Sequence, residues 1–354
     1  MTTNEPSEPS PEPSQSSSGP PEPAEPSAHD GHPLLRHLKE QLTEHHRRSR
    51  AEREEAELAE AVGAAAFDLG ADIAHPAPNH AEAAYDIDTD IGVDPQWPTP
   101  SALPHPDSRQ GISMTDSTPT VVLVHGAFAD ASSFARVIPE LLADGLKVLA
   151  PAVPNRSLTG DAAYIASVVR AVPGPVVLVG HSYGGAVITV AGAEDNVRAL
   201  VYLAGYALEE GESLGELQGR FPDSELASAL VYTPFPVEGS DEPGTDVTVE
   251  IDRFPAIFAA DVDPDLARVL AVSQRPLAGA AFAEAAPVAA WKTKPSWGLV
   301  SSSDHTINPD VERYGYERAG MTTVEVDSSH LVMLAHPKKV ADLIREAVRS
   351  LGTE

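Results

Sequence analysis

The chain has 354 residues, no cysteine, and 53 acidic against 24 basic side chains, which gives a formal net charge of −29 at pH 7. The lack of thiols excludes disulfides, a thiolate nucleophile and a cysteine-ligated metal centre. An acidic surface repels phosphate backbones and anionic lipid, so neither nucleic acid nor membrane is a predicted partner. No apolar run reaches the ~20 residues of a spanning helix, and the N-terminus lacks the basic region of a signal peptide. A cytoplasmic location is therefore predicted.

The first third of the chain changes composition twice. Residues 1–32 are almost all Pro, Glu, Ser and small polar residues, and are predicted to be disordered because they lack apolar surface to bury. Leucines recur at helical spacing in residues 33–70 and predict one long helix or two short ones. This segment would either serve docking or oligomerisation, or pack only weakly. Residues 71–117 are a predicted linker. Translation from Met114 is an open alternative that would make the upstream segments dispensable.

From residue 118 to residue 354, short apolar segments alternate with amphipathic ones. The predicted strands are Thr120–Val124, Lys147–Ala150, Val176–Val179, Ala199–Leu203, Trp297–Val300 and Thr322–Val326. The predicted helices are Ser132–Ala143, Ala162–Val172, Gly184–Ala193 and Pro337–Leu351. This alternation is typical of an α/β domain with a mostly parallel sheet and helices on both faces.

One long segment, at about residues 209–293, interrupts the alternation. It contains helical fragments and no clear strand, and an insertion of that length is expected to lie over the sheet edge as a helical cap. Its aromatic residues would either roof an apolar pocket or pack beneath the cap. They are Phe221, Tyr232, Phe235, Phe254, Phe258 and Phe282.

The segment VVLVGHSYGGAVI, residues 176–188, carries the strongest chemical signal. Gly180, Ser182 and Gly184 form a Gly-x-Ser-x-Gly motif between an apolar strand and a helix. The glycines remove side chains where the turn brings strand and helix together, which leaves the serine hydroxyl exposed above the sheet. This pattern predicts Ser182 as a nucleophile, and a serine nucleophile needs a general base to take its proton.

Two later loops supply a candidate acid and a candidate base. Asp304 follows the fifth predicted strand and His330 follows the sixth, in the order of nucleophile, acid and base that this arrangement requires. Both loops leave the carboxyl ends of parallel strands, at the same edge as Ser182. His330 is predicted to accept the serine proton and Asp304 to orient the imidazole, with Asp310 as the rival acid.

The segment VVLVHGAF, residues 121–128, turns sharply after the first strand. A backbone that turns in this way can aim its N–H groups at a developing oxyanion. The amides of Ala127 and Tyr183 are the predicted donors, with Phe128 as the alternative to the first. His125 is predicted to hold the loop by hydrogen bonding rather than to react.

Two side chains are candidates for substrate binding, and the remaining histidines are assigned no catalytic or metal-binding role. Phe128 and His181 are the candidate substrate-binding side chains, since both flank the nucleophile or its oxyanion loop. His305 and His336 are not predicted to act in catalysis. The N-terminal histidines lie in exposed sequence without fixed ligand geometry, so no metal site is predicted.

Taken together, these motifs resemble the α/β-hydrolase fold superfamily over about residues 118–352. The resemblance rests on HGAF, GHSYGG, the Asp304 loop with Pro309 downstream, and SSHLVMLAHP. The details are most similar to the small plant-type methyl esterase and hydroxynitrile lyase branch and its bacterial esterase-like relatives. This resemblance implies hydrolysis of small esters without a cofactor, under a mobile helical cap. Leu331 stands where the lyases carry a lysine, and Ser182 where dehalogenases carry an aspartate, so both of those chemistries are disfavoured.

The prediction is therefore a serine hydrolase of esterase type that acts on a small-molecule ester through an acyl-enzyme on Ser182. A small-molecule binding protein that keeps the fold without turnover is one alternative. Transfer of the acyl group to an acceptor other than water, or a perhydrolase side activity, is another. The sequence indicates no particular oligomeric state.

Overall fold

The structure is a computed structural model that describes residues 118–352. The predicted segments 1–32, 33–70 and 71–117 lie outside the described residues. Within residues 118–352, no helix is long and apolar enough to cross a membrane.

The described residues form nine strands and ten α-helices. The strands are β1 (Thr120–Val124), β2 (Lys147–Leu149), β3 (Val176–His181), β4 (Val197–Leu203), β5 (Leu230–Phe235), β6 (Gly244–Val249), β7 (Leu277–Ala278), β8 (Ser296–Ser301) and β9 (Thr322–Val326). The helices are α1 (Ile138–Ala143), α2 (Leu158–Ala171), α3 (Tyr183–Ala191), α4 (Leu214–Gln218), α5 (Phe254–Phe258), α6 (Pro264–Val272), α7 (Ala280–Ala283), α8 (Pro309–Arg318), α9 (Val332–Ala335) and α10 (Pro337–Ser350).

Six strands form one parallel sheet in the order β2-β1-β3-β4-β8-β9. Every residue of β1 and β3 is buried, although successive side chains point to opposite faces, so both faces of the sheet are covered. The edge strands β2 and β9 are mostly exposed, as expected where coverage ends. All six predicted strands and the mostly parallel sheet are confirmed.

Local sequence explains where the main helices begin. Ser157 caps α2 because its side-chain oxygen accepts the N–H of Gly160 at 3.1 Å. Asn308 caps α8 by accepting the N–H of Asp310, and Pro309 occupies the first turn. Helix α8 is absent from the predicted helices because its exposed face is heavily charged, and only four of its residues are buried.

The insertion between β4 and β8 differs from the purely helical cap that was predicted. It contains α4 to α7, but also the three-stranded antiparallel sheet β5-β6-β7, in which Val231 pairs with Thr248 and Asp246 with Ala278. The residues of β6 alternate between buried and partly buried, and Val247 and Val249 face inward. This period-two pattern and its β-branched residues favour a strand.

Candidate active site

Ser182 lies between the end of β3 and the start of α3, with φ 55° and ψ −122°. Such a conformation is strained for a residue with a Cβ and is held only where the surrounding structure enforces it. A Cβ added at Gly180 would lie 2.4 Å from the carbonyl oxygen of Gly184, and one at Gly184 would lie 2.3 Å from that of Val124. The two glycines therefore permit the close approach of strand and helix that forces Ser182 into this turn.

Asp304 and His330 are brought together from two neighbouring strand ends. The distance from His330 Nδ1 to Asp304 Oδ2 is 2.5 Å, and both side chains are fully buried. The other carboxylate oxygen of Asp304 accepts the N–H groups of Thr306 at 2.6 Å and Ile307 at 3.1 Å. These three donors orient the carboxylate, which in turn places the proton on Nδ1 and leaves Nε2 of His330 as the acceptor.

Ser182 and His330, the candidate nucleophile and base, do not share a hydrogen bond in this structure. The Nε2 atom of His330 is buried and has no hydrogen-bond partner within residues 118–352, and Ser182 is 5% exposed. Gly126 packs against the serine, since a Cβ there would lie 2.7 Å from the Cβ of Ser182. In unliganded sites such catalytic hydrogen bonds are often long, and they shorten when substrate binds.

Two rings hold the imidazole of His330 between them. The ring centroid of His181 lies 4.6 Å away and that of Phe258, from the cap, lies 4.7 Å away. Nε2–H of His181 donates to the carbonyl oxygen of His330 at 2.9 Å. Burial holds the pKa of His181 well below the usual range, which keeps the ring neutral. His181, a predicted substrate-binding side chain, is fully buried and packs against His330.

The loop after β1 and the start of α3 present backbone N–H groups near Ser182. The amides of Ala127 and Tyr183 donate to no acceptor within the described part of the chain, and Tyr183 opens a helix whose first N–H groups lack intrahelical partners. The amide of Phe128 donates to the carbonyl of Arg275 at 3.0 Å, so it is already engaged. The geometry therefore favours Ala127 over Phe128 as the first oxyanion donor.

His125 holds the loop after β1 through both ring nitrogens. Its Nδ1–H donates to the carbonyl of Gly126 at 2.9 Å, and its Nε2 accepts the N–H of Val153 at 2.8 Å. Burial lowers the pKa of His125 and keeps the ring neutral, as this bonding requires. The predicted structural role of His125 is confirmed.

The side chain of Tyr183 anchors the turn to α2. Its hydroxyl donates to Asp161 Oδ2 at 2.7 Å, and Oδ1 of the same carboxyl accepts the N–H of Arg156 at 3.2 Å. Burial raises the pKa of Asp161 even though the Tyr183 hydroxyl bonds to it. The residue that carries a candidate oxyanion amide is thereby fixed through its side chain as well.

The rival acid and the other candidate histidines lie elsewhere. Asp310 is exposed and pairs with Arg313 at 2.7 Å. His305 is exposed and lies 2.8 Å from Glu225. The structure therefore brings Asp304, and not Asp310, to His330.

Two acidic residues near the site are not among the predicted site residues. Asp261, between α5 and α6 of the cap, accepts hydrogen bonds from the hydroxyls of Ser328 and Ser329 and from the Ser329 N–H at 3.1 Å. Glu312 is buried on α8 beside Asp304. Only Glu312 has a sequence signal, because it lies four residues before the apolar Tyr316 and shares its helix face.

The surroundings of the base are aromatic. Phe258 lies edge-on to Phe128 with their ring centroids 6.0 Å apart, and it stacks on Phe254 at 4.7 Å. All three rings are buried. They form an apolar wall beside the imidazole of His330. Within residues 118–352, no group of three His, Asp or Glu side chains could hold a metal ion.

The chain folds into a parallel sheet with a serine on a strained turn after β3. Comparison with known proteins assigns this arrangement to a family. The model of the alpha/beta hydrolase family matches residues 121–343. The chain belongs to the alpha/beta hydrolase family. It is also similar to a carbendazim hydrolyzing esterase from Nocardioides sp. (strain SG-4G), at 34% identity over 126 residues. That match covers 31% of this chain and 51% of the relative, so the chain spans about half the length of that protein.

Solved structures are similar over the same region. A pyrethroid hydrolase from Sphingobium faniae JZ-2 superposes with a TM-score of 0.54 at 18% identity, over 67% of this chain and 100% of that chain. The methylesterase MES16 from Arabidopsis superposes with a TM-score of 0.55 at 18% identity, over 66% and 99% of the two chains. At these identities the likeness concerns the fold, and the predicted α/β-hydrolase fold is confirmed.

Proposed function

We propose that this protein is a serine hydrolase of esterase type that cleaves small carboxylic esters through Ser182, His330 and Asp304. The observation that carries the proposal is the 2.5 Å contact between Asp304 and His330 at the edge where β3 delivers Ser182. Both side chains of the pair are fully buried, so water does not compete for the bond that orients the imidazole.

In the first half of the reaction, Ser182 Oγ attacks the acyl carbon while Nε2 of His330 takes the hydroxyl proton. The carbonyl electrons move onto oxygen, where the amides of Ala127 and Tyr183 stabilise the charge. The buried Asp304 carboxylate stabilises the imidazolium that forms. The imidazolium then protonates the leaving alkoxide, the C–O bond breaks, and the alcohol departs.

In the second half, water attacks the acyl-enzyme while His330 accepts its proton. The second tetrahedral intermediate collapses, Ser182 regains its proton, and the carboxylic acid leaves. No cofactor takes part in either half. Acyl transfer differs only in this step, because an alcohol would replace the water.

The aromatic wall supports an ester with a compact apolar group. Phe128, Phe254 and Phe258 present uncharged ring faces and edges beside His330. Relatives named as a carbendazim hydrolyzing esterase, a pyrethroid hydrolase and a methylesterase support ester chemistry on this fold. We therefore expect short acyl chains to be cleaved faster than long ones.

A fluorophosphonate probe tests the mechanism directly. The full chain should be labelled on Ser182, and Ser182→Ala should not be labelled. A panel of p-nitrophenyl esters of rising chain length then gives the acyl preference. An unlabelled, folded wild type that binds esters without turnover would establish the binding-protein alternative. An ester product in place of free acid after alcohol is added would establish acyl transfer.

A further inference from the structure

Glu312 is a buried acid directly behind the candidate catalytic pair. It lies on α8 and is 1% exposed. Its Oε2 accepts the backbone N–H of Ser301, the last residue of β8, at 3.0 Å. Its Oε1 is buried and has no hydrogen-bond partner within residues 118–352, and the side chain of Asp304 is the neighbouring carboxyl group.

No cation forms an ion pair with this second acid within the part of the chain that the structure describes. Arg313, the next residue on α8, directs its guanidinium to Asp310 and Glu325 at the surface. The hydroxyl of Tyr316, one turn along the helix, both donates to and accepts from the backbone of Gly205.

The other titratable group that faces Glu312 is Tyr206, which follows β4. Its hydroxyl donates to Gln218 and is buried. Asp304, Tyr206, Tyr316 and Arg313 are thus the ionisable neighbours of Glu312. Arg313 favours a negative charge there, but less than burial and the charge of Asp304 oppose it.

Two adjacent buried carboxyl groups do not both ionise. Asp304 accepts Nδ1–H of His330 and two backbone N–H groups, so its bonding is that of the anion. The proton therefore belongs to Glu312. Burial, and then the charge of Asp304, hold the pKa of Glu312 well above its usual range, in agreement with this assignment.

We propose that Glu312 is a protonated positioning residue, whose Oε1–H donates to Asp304 and fixes the carboxylate that orients His330. The proposal rests on the proposed function for its catalytic consequence, but the protonation state of Glu312 is independent of it. Glutamine is the matched variant, since its amide oxygen can accept from Ser301 while its NH₂ donates to Asp304.

Thermal stability tests the protonation state without any assay of activity. A raised folded-state pKa means that the unfolded state binds fewer protons than the native state above about pH 4.5. The contribution of Glu312 to stability is therefore fully present below that pH and is lost as the pH rises. Glu312→Gln has no such loss, so its Tm should exceed that of the wild type by about 2 °C or more near pH 8. The excess should shrink toward about pH 5.5.

The opposite trend, with Glu312→Gln losing stability relative to the wild type as pH rises, would show an ionised Glu312 and overturn the proposal. A difference that is independent of pH would overturn it equally, because it would mean that Glu312 does not titrate between the two states. Both outcomes can be read from a protein without esterase activity.

Kinetics test the positioning role. Glu312→Gln should keep kcat/KM within about twofold of the wild type, whereas Glu312→Leu, which cannot donate, should lower kcat about tenfold with KM nearly unchanged. Glu312→Leu should also shift the acid limb of the pH–rate profile to higher pH, since the Asp304 carboxylate without its donor stabilises the imidazolium more strongly. A Gln variant as impaired as the Leu variant, or a Leu variant with a wild-type profile, would exclude the role. A Leu variant that does not fold leaves the decision to Glu312→Gln, in its kinetics and its Tm.

Discussion

The backbone N–H of Phe128 donates to the carbonyl oxygen of Arg275 at 3.0 Å and joins the loop after β1 to the cap. Phe128 has a φ of 61°, a conformation that costs a residue with a side chain about 1–3 kcal/mol. The bond to the cap helps to hold this strained residue beside Ala127, the proposed oxyanion donor. The cap and the loop that carries the proposed oxyanion donor are therefore linked.

The three proposed catalytic residues should respond to substitution as a unit. Ser182→Ala and His330→Ala should each lower kcat by about 10⁴-fold or more, because removing either disables both. Asp304→Asn should lower kcat by about 10³- to 10⁴-fold, since it disturbs the imidazole but leaves nucleophile and base in place. Steady-state kinetics on a p-nitrophenyl ester measure these losses.

Asp310→Asn is the matched control for Asp304→Asn. Asp310 is exposed and pairs with Arg313 at the surface, so its loss should change kcat less than about twofold. Circular dichroism should show both variants folded. An inactive Asp310→Asn together with an active Asp304→Asn would contradict the assignment of Asp304 as the acid of the triad.

The hydroxyl of Tyr183 should matter for stability and not for turnover. Tyr183→Phe leaves the buried carboxyl of Asp161 without its side-chain donor, at a cost of about 1–3 kcal/mol in the free energy of unfolding. The backbone N–H proposed to bind the oxyanion is unchanged, so kcat should stay within about threefold of the wild type. Denaturant unfolding and steady-state kinetics on the same preparation measure the two effects.

Tyr164→Phe is the control, because Tyr164 lies on the same α2 helix but is 42% exposed. It should leave both quantities unchanged. A large loss of kcat in a stable Tyr183→Phe would indicate that the hydroxyl itself meets the substrate.

Asp261 should couple the cap to the loop that carries the base. Asp261→Ala removes three hydrogen bonds from Ser328 and Ser329, the two residues before His330. A looser loop misplaces the imidazole, so we expect kcat to fall about tenfold or more. Asp265→Ala provides a control on the same cap, since Asp265 is exposed and pairs with Arg268 at the surface. Equal effects of the two substitutions would argue against a specific link between Asp261 and the base.

Ester hydrolysis should increase with pH. The base accepts a proton only when its ring is neutral, so kcat/KM should rise through the range in which histidine ordinarily titrates, about pH 6–7.5. Burial lowers the pKa of His125 and of His181, so both rings are already neutral in this pH range. They therefore add no further step to the pH–rate profile. His305→Ala, which removes an exposed ring away from the base, should keep the same profile. A flat profile from about pH 5 to 8 would rule out a histidine base in the limiting step.

The sequence alone determined the features that depend on near neighbours in the chain. The Gly-x-Ser-x-Gly turn could be predicted because Gly180, Ser182 and Gly184 and the strand and helix around them are contiguous. The six strands of the parallel sheet followed for the same reason, since each is a short apolar run with clear ends. The order of Ser182, Asp304 and His330 along the chain then placed them at one edge, because parallel strands end together.

Tertiary structure decided the features that join distant segments. The cap sheet depends on pairing between β5, β6 and β7, and their alternation is short and weak in isolation. Asp261 accepts a hydrogen bond from Ser329, which lies 68 residues away in the chain, and no local sequence pattern predicts such a contact. Asp304, rather than the nearby Asp310, reaches His330 because the start of α8 turns Asp310 toward Arg313 and solvent. Glu312 sits against Asp304 because the buried face of the same helix packs behind the loop after β8, and burial there is what makes its proton hard to lose.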